Sequence, residues 1–157
     1  MCLIHPLQAW QQSPLSLPVI TAPQTVTAEI PWQAGQITTQ GIQQEYVINR
    51  KFLSITPQGH YQVQDFYQHS GAKRTNPFIT TNADRLLEML PLYEDENIEG
   101  ELSLWSTHGK KQSEAFYENN HVTSLKEWNA RGQLTRVVQM TGSPETGNYS
   151  YTETIYN

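Results

Sequence analysis

The chain has 157 residues and carries ten Lys and Arg against fifteen Asp and Glu, a net charge of -5. Apolar residues make up 37% and charged residues 16%, with Gln, Asn, Ser and Thr supplying the difference. Such a composition suits a thin, two-sided β-rich protein better than a thick helical globule. The acidic balance argues against nucleic acid, which requires a basic footprint. One cysteine rules out an internal disulfide or a thiol metal cluster, and nothing approaches the ~18–20 apolar residues of a membrane span.

Residues 1–24 are expected to form an extended arm or tether, followed by a single β-rich domain over 25–157. The arm carries Pro6, Pro14, Pro18 and Pro23, and no Asp, Glu, Lys or Arg. Its Trp10 and scattered leucines suggest partial docking on the domain. Met1-Cys2 raises two alternatives, an inert cysteine or the lipid attachment site of an envelope lipoprotein. MCLIHPLQAW lacks the basic start and unbroken apolar stretch of a signal peptide. The compartment stays open between cytoplasm and periplasm or envelope.

From residue 25 the pattern becomes short β-type runs between turn signals. The runs are 25–30, 45–55, 60–67, 101–105, 113–118, 121–128, 133–140 and 148–156. Several alternate with period two, as Tyr61, Val63 and Asp65 do against Gln62, Gln64 and Phe66. Turns are expected at Gly59, Gly71, Gly109, Asn120, Gly132 and Gly142. The wide gap after Gly71 holds TNADRLLEMLP, where Thr81 and Asp84 have the form of a capping box and Pro91 closes the run. A short helix is expected at about 83–90, with Leu86, Leu87 and Leu90 on the sheet, inside an insertion at about 79–100.

Three segments place an aromatic residue four positions before a glycine: Tyr67–Gly71, Trp105–Gly109 and Trp128–Gly132. The last two are offset by 23 residues, which defines an internal repeat of two strands per unit. The aromatics are expected to stack between units. LWSTHGKKQSEAFYENNHVTSLKEWNARGQLTRVV resembles the MORN-like repeats of bacterial YwqK-type antitoxin proteins. Trp105, Gly109, Lys110, Glu114, Tyr117, Asn119, Trp128 and Gly132 carry the likeness, which is good over about 100–140 and loose over 60–78. Asn120 and Ser124 depart from it, where glycine is usual. The resemblance implies an antiparallel meander of tandem β-hairpins and a non-enzymatic binding scaffold of the immunity or antitoxin type.

Catalytic and ligand chemistry finds little footing. His108-Gly109-Lys110-Lys111 lacks the further glycines and following helix of a phosphate loop. His5, His60, His69, His108 and His121 show no metal-ligand spacing, so no metal or cofactor is expected. No nucleophile motif is present, and Asp65 with Glu114 is explained by solvent-facing strand positions. The strongest charge feature is 84–101, where Asp84, Glu88, Glu94, Asp95, Glu96, Glu99 and Glu101 account for seven of the fifteen acids. The expected contact residues for a protein partner, a basic toxin or effector, are the first six of these acids. His108, Lys110 and Arg131, on a rim of turns at 68–71, 107–110 and 129–132, join them.

Overall fold

The computed structural model describes residues 31–91 and 97–157. Trp32–Asn157 form one compact unit; the other, Met1–Pro31, lies outside the described residues except for Pro31. The arm with Cys2, the expected strand at 25–30, and Glu94, Asp95 and Glu96 all fall outside the described residues.

The protein is mainly β. Nine strands form one antiparallel sheet in strict chain order: β1 Ile37–Gln43, β2 Tyr46–Ile55, β3 Tyr61–Tyr67, β4 Phe78–Thr80 and β5 Ile98–Trp105. They continue as β6 Lys111–Glu118, β7 His121–Trp128, β8 Leu134–Ser143 and β9 Asn148–Ile155. Period-two alternation produces the strands where it was expected, and β3 buries Val63, Asp65 and Tyr67 alternately. The sequence pattern did not expose β1 and β4. Gly41 interrupts β1, and a Cβ there would stand 3.0 Å from Met89 Sδ, so the glycine makes room for that side chain.

Cross-strand partners share a face. Ile48, Arg50 and Phe52 stand opposite Tyr67, Asp65 and Val63, and Val63 opposite Phe78. On the same face Thr80 meets Ile98, Leu102 meets Ala115, and Leu125 joins Ala115 to Val138. This inner face holds the core.

Burial is uneven along it. Ile48, Phe52, Val63, Phe78, Leu86, Ile98 and Leu102 are buried, each contributing about 1.5–3 kcal/mol. Across β6–β9 only Ala115 and Met140 are buried.

The cover over the first strands is a strap at 83–91, not the expected helix. A single 3-10 turn, Ala83–Leu86, is capped by Asn82, whose Oδ1 accepts from Asp84 N at 2.9 Å. The capping box at Thr81 and Asp84 does not form. Instead of completing helical hydrogen bonds, the strap's carbonyls take side chains from the sheet beneath. Arg50 Nη1 donates to Arg85 O, Thr39 Oγ1 to Leu87 O, and Gln43 Nε2 to Leu90 O. Leu86 is buried, whereas Leu87 is 67% exposed and Leu90 half-buried, so one of the three leucines packs as expected.

At the centre of the covered half lies a buried ion pair. Arg50 donates to both carboxylate oxygens of Asp65, at 2.7 and 2.8 Å. Its guanidinium carbon lies 5.2 Å from the Phe78 ring centroid. Both side chains are fully buried.

Candidate functional site

In a meander, alternate turns lie at the same end of the strands. The β1–β2, β3–β4, β5–β6 and β7–β8 connections therefore share one end. The β1–β2 turn at Gln44 and Glu45 has φ of 49° and 75°, the two-residue hairpin geometry with both residues left-handed. The turns after Trp105 and Trp128 are identical. Ser106 N bonds Lys110 O and Gly109 N bonds Ser106 O; Asn129 N bonds Gln133 O and Gly132 N bonds Asn129 O. Each is a three-residue hairpin with glycine left-handed at its end.

The third expected copy differs. Tyr67 N bonds Ala72 O and Gly71 N bonds Tyr67 O, one residue longer. The closer match lies at the other end of the sheet, where Thr56 N bonds His60 O and Gly59 N bonds Thr56 O; Ile55 holds the aromatic position. Gly142 is not a turn either. It pairs with Tyr149 inside the β8–β9 ladder, and the reversal is at Pro144–Thr146 followed by Gly147.

The rim turns enclose a groove of about 460 Å³, lined by Gln44, Tyr46, Tyr67, Thr107, His108, Lys110, Lys111 and Trp128 among others. Lys110 Nζ donates to Ala130 O at 2.9 Å and ties two rim turns together. Lys111 Nζ is 5.6 Å from the ring centroids of both Trp105 and Trp128, and it pairs with Glu114. Lys73 Nζ lies 3.9 Å over Trp105. A lysine thus serves both tryptophan rings through cation–π attraction, where stacking between them was expected. Tyr46 packs edge-on to Tyr67 at 5.5 Å and stacks with His69 at 5.9 Å.

A second groove of about 650 Å³ adjoins it, sharing Gln44, Gln112 and Trp128. Its lining includes Leu102, Leu104, Ala115, Tyr117, Val122 and Leu125, with Ile42 and Pro91, and the polar Gln43, Ser113, Glu127 and Thr135. Arg74 also lines it, 7% exposed, with Nη1 buried and without a hydrogen-bond partner. Burial lowers the Arg74 pKa from its usual value, opposed by Asp65 and Tyr67. Burial likewise raises the Tyr67 pKa; its hydroxyl donates to Trp105 O at 2.8 Å.

The expected contact residues fall into two groups. His108, Lys110 and Arg131 are exposed together on the rim. The described acids do not share a face. Asp84 and Glu88 are exposed on the strap, with Glu88 3.5 Å from Arg85. Glu99 pairs with Ile79 and Glu101 with Phe116, both on the outer face. Asp65 and Glu114 also lie on opposite faces, since Glu114 pairs with Ser103 and Lys126. Among the described residues no group of three His, Cys, Asp or Glu is placed to hold a metal ion.

Tyr46 and Gln44 were missed as groove residues, while Tyr67 was expected only as one of the repeat aromatics. Gln44-Glu45 forms a left-handed turn without Gly, Asn or Asp, so it carries no sequence signal. No helix among the described residues is long and apolar enough to cross a membrane. Compared with family models, curated proteins and solved structures, the chain matches none.

Proposed function

We propose that this chain is a non-catalytic protein-binding scaffold of the MORN-like type, acting as an immunity or antitoxin-type protein that occludes a toxin or effector. One observation carries this: an open groove of mixed lining, its apolar part on β5–β7, continues into a cationic, aromatic groove at the rim. Apolar walls exclude water and supply affinity, while a charged margin steers a partner and fixes its orientation.

The rim favours a partner with an acidic surface. Lys73, Lys110, Lys111, Arg131, His69 and His108 all belong to turns at that end or to residues beside them. The basic partner expected from the 84–101 segment would need its acids on a common face, and the described ones are divided between two.

The test is calorimetric titration of the purified chain with the protein encoded beside it. Leu125→Glu places a charge in the groove wall without touching the strap core. Loss of binding by at least ~10-fold supports occlusion through the groove; unchanged affinity, or no binding by the unmodified chain, rejects it.

A further inference from the structure

The two edges of the sheet differ. At β1 the ladder is broken by a bulge between Ile37 and Thr39, and the strap is hydrogen-bonded to Thr39 and Gln43. Edges managed in this way resist further pairing. At β9 none of these devices is present. All eight residues Asn148–Ile155 are exposed, with no Pro, Lys or Arg among them. The ladders β1–β2, β2–β3, β5–β6, β6–β7 and β7–β8 each carry a register shift. The β8–β9 ladder runs through eight pairs, Arg136–Ser143 against Ile155–Asn148, without one.

Alternation fixes which groups point outward. Tyr156 N donates to Thr135 O at 2.9 Å, so even-numbered residues bond inward to β8. The N–H and C=O of Tyr149, Tyr151, Glu153 and Ile155 therefore face the free edge. Their side chains lie on the inner face with Met140 and Val138. Tyr149, Tyr151 and Ile155 are 41%, 46% and 69% exposed there, an apolar row with no further strand beside it among the described residues.

We propose that β9 pairs antiparallel with β9 of a second copy of this chain, with Thr152 on the two-fold axis. This register is self-complementary, as a closed two-fold interface requires. It sets Tyr149 against Ile155 of the second copy, Ser150 against Thr154, and Tyr151 against Glu153. The four outward residues of each strand exchange about eight hydrogen bonds in all. The neighbouring symmetric registers are worse. Centring on Glu153 opposes two carboxylates directly, and centring on Tyr151 leaves Ile155 beyond the paired strand. Glu153 is the only charge on β9 and is held within its own protomer by Arg136 Nε at 2.5 Å. The diagonal approach of the two Glu153 side chains is therefore between ion pairs. The result is one continuous eighteen-stranded sheet that presents two copies of the groove, so the chain binds bivalently.

The experiment uses the full chain with Cys2→Ser, so that only introduced thiols report. Sedimentation of the parent should give twice the 18.0 kDa chain mass. Thr152→Cys should form a symmetric disulfide under mild oxidation, because a non-hydrogen-bonded pair brings Cα atoms to ~4.5 Å, within disulfide range. Ser150→Cys should not cross-link to itself but should cross-link to Thr154→Cys when the two are mixed. Tyr151→Pro removes an outward N–H and leaves the bonds to β8 in place; Ile155→Lys charges the edge. Both should sediment as monomers with the parent's circular dichroism. A monomeric parent at micromolar concentration overturns the proposal. So does a dimer that persists in both edge variants, or a Ser150→Cys cross-link as fast as that of Thr152→Cys.

Discussion

Removing Asp65 should destabilise the domain more than any other single carboxylate among the described residues. Asp65→Ala deletes two charge-assisted hydrogen bonds, at 2.7 and 2.8 Å, from a guanidinium with no exposed surface. The donor to Arg85 O and the contact with Phe78 remain, but neither replaces the carboxylate that both Nε and Nη2 of Arg50 use in the parent. Breaking such a pair costs about 3–5 kcal/mol, which for a domain of this size lowers Tm by about 10–20 °C. The pair itself is worth far less than its rupture, because desolvating both ions consumes most of their attraction. Arg50→Met with Asp65→Leu should therefore recover most of the loss. Thermal unfolding followed by circular dichroism reads all three proteins. A cost below ~1 kcal/mol for Asp65→Ala, or a double variant as unstable as the single, refutes the buried-pair argument.

Burial raises the Tyr67 pKa from its usual 10.0, against the opposing charge and hydrogen bond of Arg74. The unfolded state loses this proton first, so the stabilisation is complete below the unfolded pKa and fades as pH rises through the folded one. Tyr67→Phe should cost about 0.5–1.5 kcal/mol at neutral pH. It should also flatten the fall of Tm above pH ~10 relative to the parent, which melting curves across alkaline buffers will show. Glycine substitutions should split sharply. Gly109→Ala meets open space at φ +75° and costs about 1–2 kcal/mol. Gly142→Ala would put Cβ 2.1 Å from Asn148 O at φ +91° and costs more than ~3 kcal/mol by urea unfolding. In the strap, Leu86→Ala should cost about 2–5 kcal/mol in the same assay while Leu87→Ala stays within about 0.5 kcal/mol.

Strands β3 and β8 were legible through period-two alternation, and β2, β5–β7 and β9 as runs of β-type residues bounded by turn signals. Strand β1 was hidden because Gly41 serves the strap's Met89 rather than the strand, and β4 because three residues cannot show a period. The strap has a helical sequence pattern, yet Thr39, Gln43 and Arg50 capture the carbonyls that a helix would use. That competition is tertiary and leaves no local trace. Of the candidate site, Trp128, His108, Lys110 and Arg131 came from the repeat, and their gathering at one end follows from the meander. Tyr67 was legible as a repeat aromatic, but its meeting with Tyr46 depends on the cross-strand register of β2 and β3. The acidic segment was prominent in the sequence because linear charge density is easy to read. Alternation then sends Glu99 and Glu101 to the outer face, away from Asp84 and Glu88.

The measurement closest to the central claim compares charge reversal at the two places on one partner. Lys110→Glu with Arg131→Glu changes the rim, and Asp84→Lys with Glu88→Lys changes the strap. Association rates of the adjacent-gene protein are read by stopped flow at low and high salt. Rim reversal should slow association ~10-fold at low salt and lose that effect at high salt, while strap reversal leaves the rate within about twofold. Slowing by the strap variant alone would place the contact on the acidic segment and contradict the rim as the docking surface.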